Sequence, residues 1–205
     1  FSKSEGINVL SLARFFLFGA RDVWFVVALP VFLEASLGWS FWEIGGFLGL
    51  WVIGYGLVQG AAPALRRLWG KTTPPGVSSL QFWSALLTAV PALIAVALWR
   101  EVDVSIAITA GLAVFGVVFA MNSSIHSYMV LSYTDSENVS LSVGFYYMAN
   151  AAGRLTGTLL SGAIFFVGGM EACLWMSSVL VGLAFLSSCQ LPPPPRHCVN
   201  TIQSV

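Results

Sequence analysis

The sequence predicts an all-α polytopic membrane protein of six transmembrane helices, and three observations carry that prediction. Of 205 residues, 57% are hydrophobic and only 9% are charged, with a mean hydropathy of +0.83. Soluble domains carry about 25% charged residues, so this chain cannot cover its own surface with polar groups and calls for lipid as its solvent. Six separate stretches reach the roughly 20 apolar residues that a spanning helix needs. Finally, 8 Trp and 15 Phe suit a bilayer, where aromatic rings anchor helices at the interface and fill the space between them.

Taken in order, the first stretch runs from Gly6 to Leu33 and the second from Phe41 to Leu65. The third covers Ser78 to Trp99 and the fourth Val104 to Leu131. The fifth extends from Ser140 to Val167, and the sixth from Met170 to Cys189. Pro30 and Pro91 remove helix hydrogen bonds and are expected to bend the spans that hold them. Glu43 is expected to cap the start of the second span, where the helix dipole favours a carboxylate. The connections are short. Residues 1–191 therefore read as one six-helix domain, and residues 192–205, opening on four prolines, as a Pro-rich disordered cytoplasmic tail. The chain begins with Phe1, which suggests a fragment of a longer protein.

The flanking charges set an expected orientation. Lys3, Arg66, Arg67, Lys71 and Arg196 fall on one side and Arg100 on the other, so the positive-inside rule places both termini in the cytoplasm. A net charge of zero offers no basic face for nucleic acid. Cys173, Cys189 and Cys198 have no disulfide or metal-type spacing, no cofactor motif is present, and no Gly-x-Ser-x-Gly, His-Glu-x-x-His or phosphate-loop pattern marks an enzyme.

The remaining charges lie inside the spans. Arg14, Arg21 and Asp22 are in the first and Arg154 near the middle of the fifth, each at a cost of about 2.5–3.5 kcal/mol on insertion scales. The third and sixth spans read as the charge-free ones. That alternation fits two three-helix repeats of the kind nested in transporter halves. Arg14 and Arg21 are seven residues apart, so they share one helix face with Phe18 between them. Asp22 lies about 100° from Arg21 and is not expected to pair with it. Guanidinium forks match phosphate or carboxylate geometry, so the arginines are read either as ligands of a small anion or as ion-pair locks of the bundle. Tyr147, Asn150 and Arg154 form a polar stripe in the fifth span, whereas Gly153, Gly157 and Ser161 form a small-residue packing face. In the fourth span Asn122 and His126 are one turn apart, with Ser123 and Ser127 beside them. His126 is read as a proton shuttle or anion contact, or else as a structural histidine.

Four strings, GARDVWFVVALPVFL (Gly19 to Leu33), GWSFWEIGGFLGLWVIGYG (Gly38 to Gly56), NSSIHSY and VGFYYMANAAGRLTGTLLSG, resemble a known group. They look like the C-terminal half of the organoarsenical efflux permeases of bacterial arsenic-resistance operons, which are major facilitator transporters. The generic signature after the second helix of such a half is reduced here to Gly60, Arg66, Arg67 and Lys71, and Ala64 stands where an acid is usual. The resemblance implies half of a major facilitator fold in the bacterial inner membrane, completed by an N-terminal six-helix half. It implies export of 1-arseno-3-phosphoglycerate, made by a glyceraldehyde-3-phosphate dehydrogenase. The expected substrate contacts are Arg14, Arg21, Arg154, Asn150, Tyr147, Asn122 and His126, with Asp22 as the proton-coupling candidate. The rival readings are transport of another organic anion or drug, a membrane-embedded enzyme acting on lipid head groups, and a non-transporting fragment.

Overall fold

A computed structural model describes residues 4–70, 73–134 and 139–192. Lys3, Lys71, Asp135, Glu137, Arg196, Cys198 and the tail beyond residue 192 lie outside the described residues. Every regular element among those described is a helix: α1 (Glu5–Phe25), α2 (Ala28–Leu37), α3 (Phe41–Leu68), α4 (Val77–Trp99), α5 (Val104–Ser132) and α6 (Val139–Ser188). Five helical segments are long and apolar enough to cross a membrane, with α1 and α2 together making the first.

The break between α1 and α2 falls at Val26 and Val27, earlier in the chain than Pro30. Proline has no N–H to offer the carbonyl four residues back, and its ring crowds that carbonyl. For Pro30 that residue is Val26, so the helix opens there. The hydroxyl of Ser161 accepts from the Ala28 N–H at 3.1 Å and satisfies a donor at the break. Pro91 behaves differently: α4 runs through it unbroken, as α3 runs through Pro63. At Pro30 the expected bend is a full interruption, whereas Pro91 does not interrupt α4. At its far end α2 stops on Gly38, which takes a left-handed φ of 67°. The Gly38 and Trp39 N–H groups return to the carbonyls of Glu34 and Leu33, the closing pattern that favours glycine at this position.

The start of α3 is fixed by a capping box. The Ser40 hydroxyl accepts from the Glu43 N–H while the Glu43 carboxylate accepts from the Ser40 N–H. The expected cap at Glu43 is therefore shared, with Ser40 in the N-cap position. Asp103 caps α5 in the same sense, accepting from the Ile106 N–H at 3.0 Å.

As a straight rod, the 50 residues of α6 would extend about 75 Å, far beyond a hydrocarbon core of about 30 Å. Instead α6 folds back at Gly169, whose φ of 63° and ψ of −159° are not helical. Residues on either side of that glycine meet: the Cys173 thiol lies 3.8 Å from the Ser161 carbonyl, twelve positions earlier. The second limb was expected to be free of charge. It carries Glu171, exposed two residues after the turn, where the charge need not be buried.

α1, with α2, forms the most deeply buried span of the bundle. It runs antiparallel to α5 in constant register, with Gly6 against Tyr133, Phe18 on Phe119 and Trp24 on Phe115. Both limbs of α6 flank it. A side chain at Gly153 would strike the Phe15 backbone, and one at Gly157 would strike that of Gly19, so the small-residue face of the fifth stretch is a packing seam. The Ser177 hydroxyl donates to the Ala20 carbonyl at 2.7 Å, and that of Ser178 to the Thr88 carbonyl at 2.8 Å. These bonds tie the second limb to α1 and α4. α3 stands at the edge, held to α5 by the Trp51 indole, which donates to the Leu112 carbonyl at 2.8 Å and occupies the space left by Gly116.

The ends of the bundle sort into two sets. Ser4 donates to the carbonyl of Tyr133, and the Tyr133 hydroxyl donates to that of Pro192, while Trp69 stacks on Trp83. At the other end one cavity is lined by Phe32, Ser36, Leu98, Val104, Gly168 and Gly169.

Candidate functional site

The charged residues of α1 and α6 meet at Asp22. This carboxylate is buried at 1% exposure and accepts from two guanidiniums on opposite sides. Arg21 Nε lies 2.6 Å from Oδ1, and Arg154 Nε lies 3.1 Å from Oδ2. Sequence spacing argued against the Arg21–Asp22 pair, and that expectation is overturned. Adjacent residues do point about 100° apart, but the three-carbon stem of arginine is long enough to bring Nε back around the helix. Burial of the carboxylate makes that conformation worthwhile.

Arg154 reaches Asp22 from the first limb of α6, and its side chain remains 56% exposed. Its stripe partners lie on the same flank: Tyr147 is exposed, and Asn150 is half-buried with its Oδ1 lacking a partner. The site is therefore a carboxylate gripped from one side by an inner arginine and from the other by an outer one. Two guanidiniums and one carboxylate leave a net charge of +1, and Arg154 is the more exposed of the two arginines.

Arg14 belongs to a second group. Its guanidinium stands 4.0 Å from the centre of the Phe18 ring, and that of Arg21 stands 4.9 Å from the same ring. Phe18 therefore separates the two cations while each gains from its π face. Arg14 donates to the Ser123 hydroxyl at 3.0 Å, and Tyr55 of α3 donates to that hydroxyl at 3.4 Å. The Tyr146 ring lies 5.0 Å from the Arg14 guanidinium. Asn122 and His126 are fully buried on α5, and the Asn122 Oδ1 accepts from Ser84 at 3.3 Å.

The structure thus divides the expected site residues. Arg21, Asp22, Arg154, Asn150 and Tyr147 form the half-open group, and Arg14, Asn122 and His126 lie in the sealed one. Ser11, Ser84 and Tyr146 were passed over in the sequence. Tyr146 could have been found, because it falls on the same α6 face as Gly153 and Gly157, the face that meets α1. Ser11 and Ser84 carry no comparable signal, since isolated serines in apolar helices bond back to their own turn as readily as across to a neighbour. Thr88 and Ser127 do so here.

No protein-family model matches the chain, and no curated protein matches it. The functional reading therefore rests on the residues and their geometry.

Proposed function

We propose that the chain is the C-terminal half of a facilitator-type secondary transporter that exports a small organic anion. Counting the two limbs of α6 separately, it crosses the bacterial inner membrane six times with both termini cytoplasmic. The observation that carries the reading is the bridge at Asp22. An ionised carboxylate shared by arginines from α1 and α6 is expensive to bury, and it holds two forks that match phosphate or arsenate. Protonation of Asp22 frees both forks, which couples anion binding to proton movement. Asn150 and Tyr147 supply neutral contacts beside Arg154. The missing six-helix half covers the open flank, and rocking of one half against the other alternates access. The resemblance of the sequence to organoarsenical permeases selects 1-arseno-3-phosphoglycerate among small anions, with a glyceraldehyde-3-phosphate dehydrogenase as its source.

The test uses the completed transporter in arsenate-challenged cells that express the dehydrogenase. Arg21→Gln and Arg154→Gln remove charge and fork and should each abolish resistance at unchanged protein level. Lys at either position keeps the charge without the fork and should rescue partly. Arg100→Gln, in the short turn between α4 and α5, should have no effect. Full resistance in both glutamine variants would remove the anion site. A second reading, export of another organic anion, is favoured by the same bridge, because a guanidinium fork accepts carboxylates as well as phosphates. It predicts that the glutamine variants lose transport of that anion while arsenate resistance never depended on the protein.

A further inference from the structure

The sealed group around Arg14 carries a positive charge with nothing to balance it. Arg14 is 4% exposed, and no carboxylate among the described residues pairs with it. The rings of Phe18 and Tyr146 and the oxygens of Ser123 are its neighbours. These soften the cost of burying a guanidinium and leave its charge in place. Polar groups around it are also unsatisfied. Arg14 Nε, Asn122 Nδ2, both ring nitrogens of His126 and the Ser11 hydroxyl are buried without a hydrogen-bond partner.

These unsatisfied groups are mostly donors. Arg14 Nε and Asn122 Nδ2 can only donate, a neutral imidazole keeps one N–H, and a serine hydroxyl rotates to donate. The helix register brings three of them together. α1 and α5 are antiparallel, and Arg14 is bonded to Ser123. Ser11 precedes Arg14 by three residues and His126 follows Ser123 by three, so both lie at one level, about 4.5 Å along the bundle from that pair. Arginine side chains on a helix lean toward its N-terminus, which is toward that level. His126, Ser123 and Tyr146 are all 0% exposed, so the enclosure is closed to bulk solvent.

We propose that this enclosure holds one resident monovalent anion of halide size, bound by Arg14, His126 and Ser11, with Asn122 at its margin. Charge decides the class: one uncompensated cation calls for one negative charge, whereas a multiply charged phosphate ester would replace one imbalance by a larger one. Closure decides the size. Water could satisfy the donors and would still leave the guanidinium unbalanced in a low-dielectric interior. The anion ties α1 to α5 beneath Tyr146 of α6 and acts as a structural counter-ion. It is distinct from the Asp22 bridge on the far side of the Phe18 ring, and it stands whether or not the chain transports.

The test uses the purified full chain in detergent micelles, in gluconate buffer at constant ionic strength, with unfolding followed by tryptophan fluorescence. Chloride and bromide should raise the Tm saturably, on the order of 5–10 °C at about one hundred times the dissociation constant. Phosphate should do so weakly. Arg14→Met should lose the halide dependence. Should that variant fail to fold, Ser11→Ala and His126→Phe each remove a single donor and should weaken the halide midpoint roughly fivefold to tenfold. A wild-type Tm indifferent to halide would overturn the site. So would an unsaturating rise, phosphate stabilisation equal to that of chloride, or a midpoint unchanged in both donor variants.

Discussion

α1, continued by α2, and α3 are both long and apolar enough to span a membrane, and they have opposite surroundings. In the segment Glu5–Leu37, 56% of the most apolar window is buried inside the protein, against 6% for Phe41–Leu68. The buried segment is the more apolar of the two, and it also carries Arg14, Arg21 and Asp22. Its charges identify it as an inner helix. Lipid cannot solvate a guanidinium, so a helix that holds several must find its partners within the bundle. α3 carries no charge between Glu43 and Arg66 and has no such need. Its glycines at 45, 46, 49, 54, 56 and 60 have nothing within 4 Å of where a side chain would begin, whereas those of α6 at 153 and 157 are filled by α1. The same residue type is a seam in one place and an open ridge in the other.

The largest effect that separates the two helices should come from their carboxylates. Asp22→Asn keeps the shape and removes the charge that holds Arg21 and Arg154. Deleting one member of a buried pair costs about 3–5 kcal/mol. Arg154 is more than half exposed and its share is screened, so a loss near the low end, about 3 kcal/mol, is expected. Glu43→Gln in α3 touches only an exposed, solvent-screened capping box and should cost far less. Denaturant titration of both variants in detergent measures the ratio. Equal losses would mean that the Asp22 bridge does not organise the bundle.

A smaller effect should follow from filling the seam. Gly153→Ala places a methyl group against the Phe15 backbone, and Gly157→Ala places one against that of Gly19. Backbone cannot rotate away, so overpacking of about 1–3 kcal/mol is expected at each. The double variant should push α1 and the first limb of α6 apart and lengthen the Arg154–Asp22 contact. Paired spin labels on the two helices would read the separation directly. An unchanged distance with unchanged stability would mean that the helices do not meet at these glycines.

Most of the span boundaries were legible in the sequence, because apolar runs end wherever Pro, Gly and charge accumulate. The fold-back at Gly169 was legible as well, from two glycines between two apolar runs. Neighbour relations were not. In a bilayer a helix can be apolar all round whether it faces protein or lipid, so periodicity does not tell the buried α1 from the exposed α3, and the charges of α1 mark it as inner without naming its neighbours. The Arg21–Asp22 bond was hidden for a different reason. Helix-wheel geometry places Cβ atoms, and a long flexible stem can carry its charge far from where its Cβ points. Nor could spacing reveal that Arg14 and Arg21, on one face, sit in separate polar groups. The ring of Phe18 divides them, and its orientation depends on Phe119 across the bundle.

The smallest expected effect is the most discriminating for the open ridge. Gly49→Ala adds a methyl group to α3 where nothing lies within 4 Å, so no clash opposes it in the chain alone. Alanine in a helix interior is favoured over glycine by up to about 1 kcal/mol, a gain reduced here because apolar surroundings already restrain the backbone. Stability of the isolated chain should therefore hold or rise slightly. If the chain is half of a transporter, as proposed above, and the other half packs on this ridge, the outcome reverses there, because close helix approach through glycines leaves no room for a methyl group. Larger residues sharpen the contrast: Gly49→Leu should remain within about 0.5 kcal/mol of wild type alone and should sharply reduce transport in the whole protein. Measuring both variants in both settings separates a lipid-facing α3 from one that meets the other half. Stability lost in the isolated chain would show that the ridge is already occupied, and the contrast drawn between α1 and α3 would fail at its exposed end.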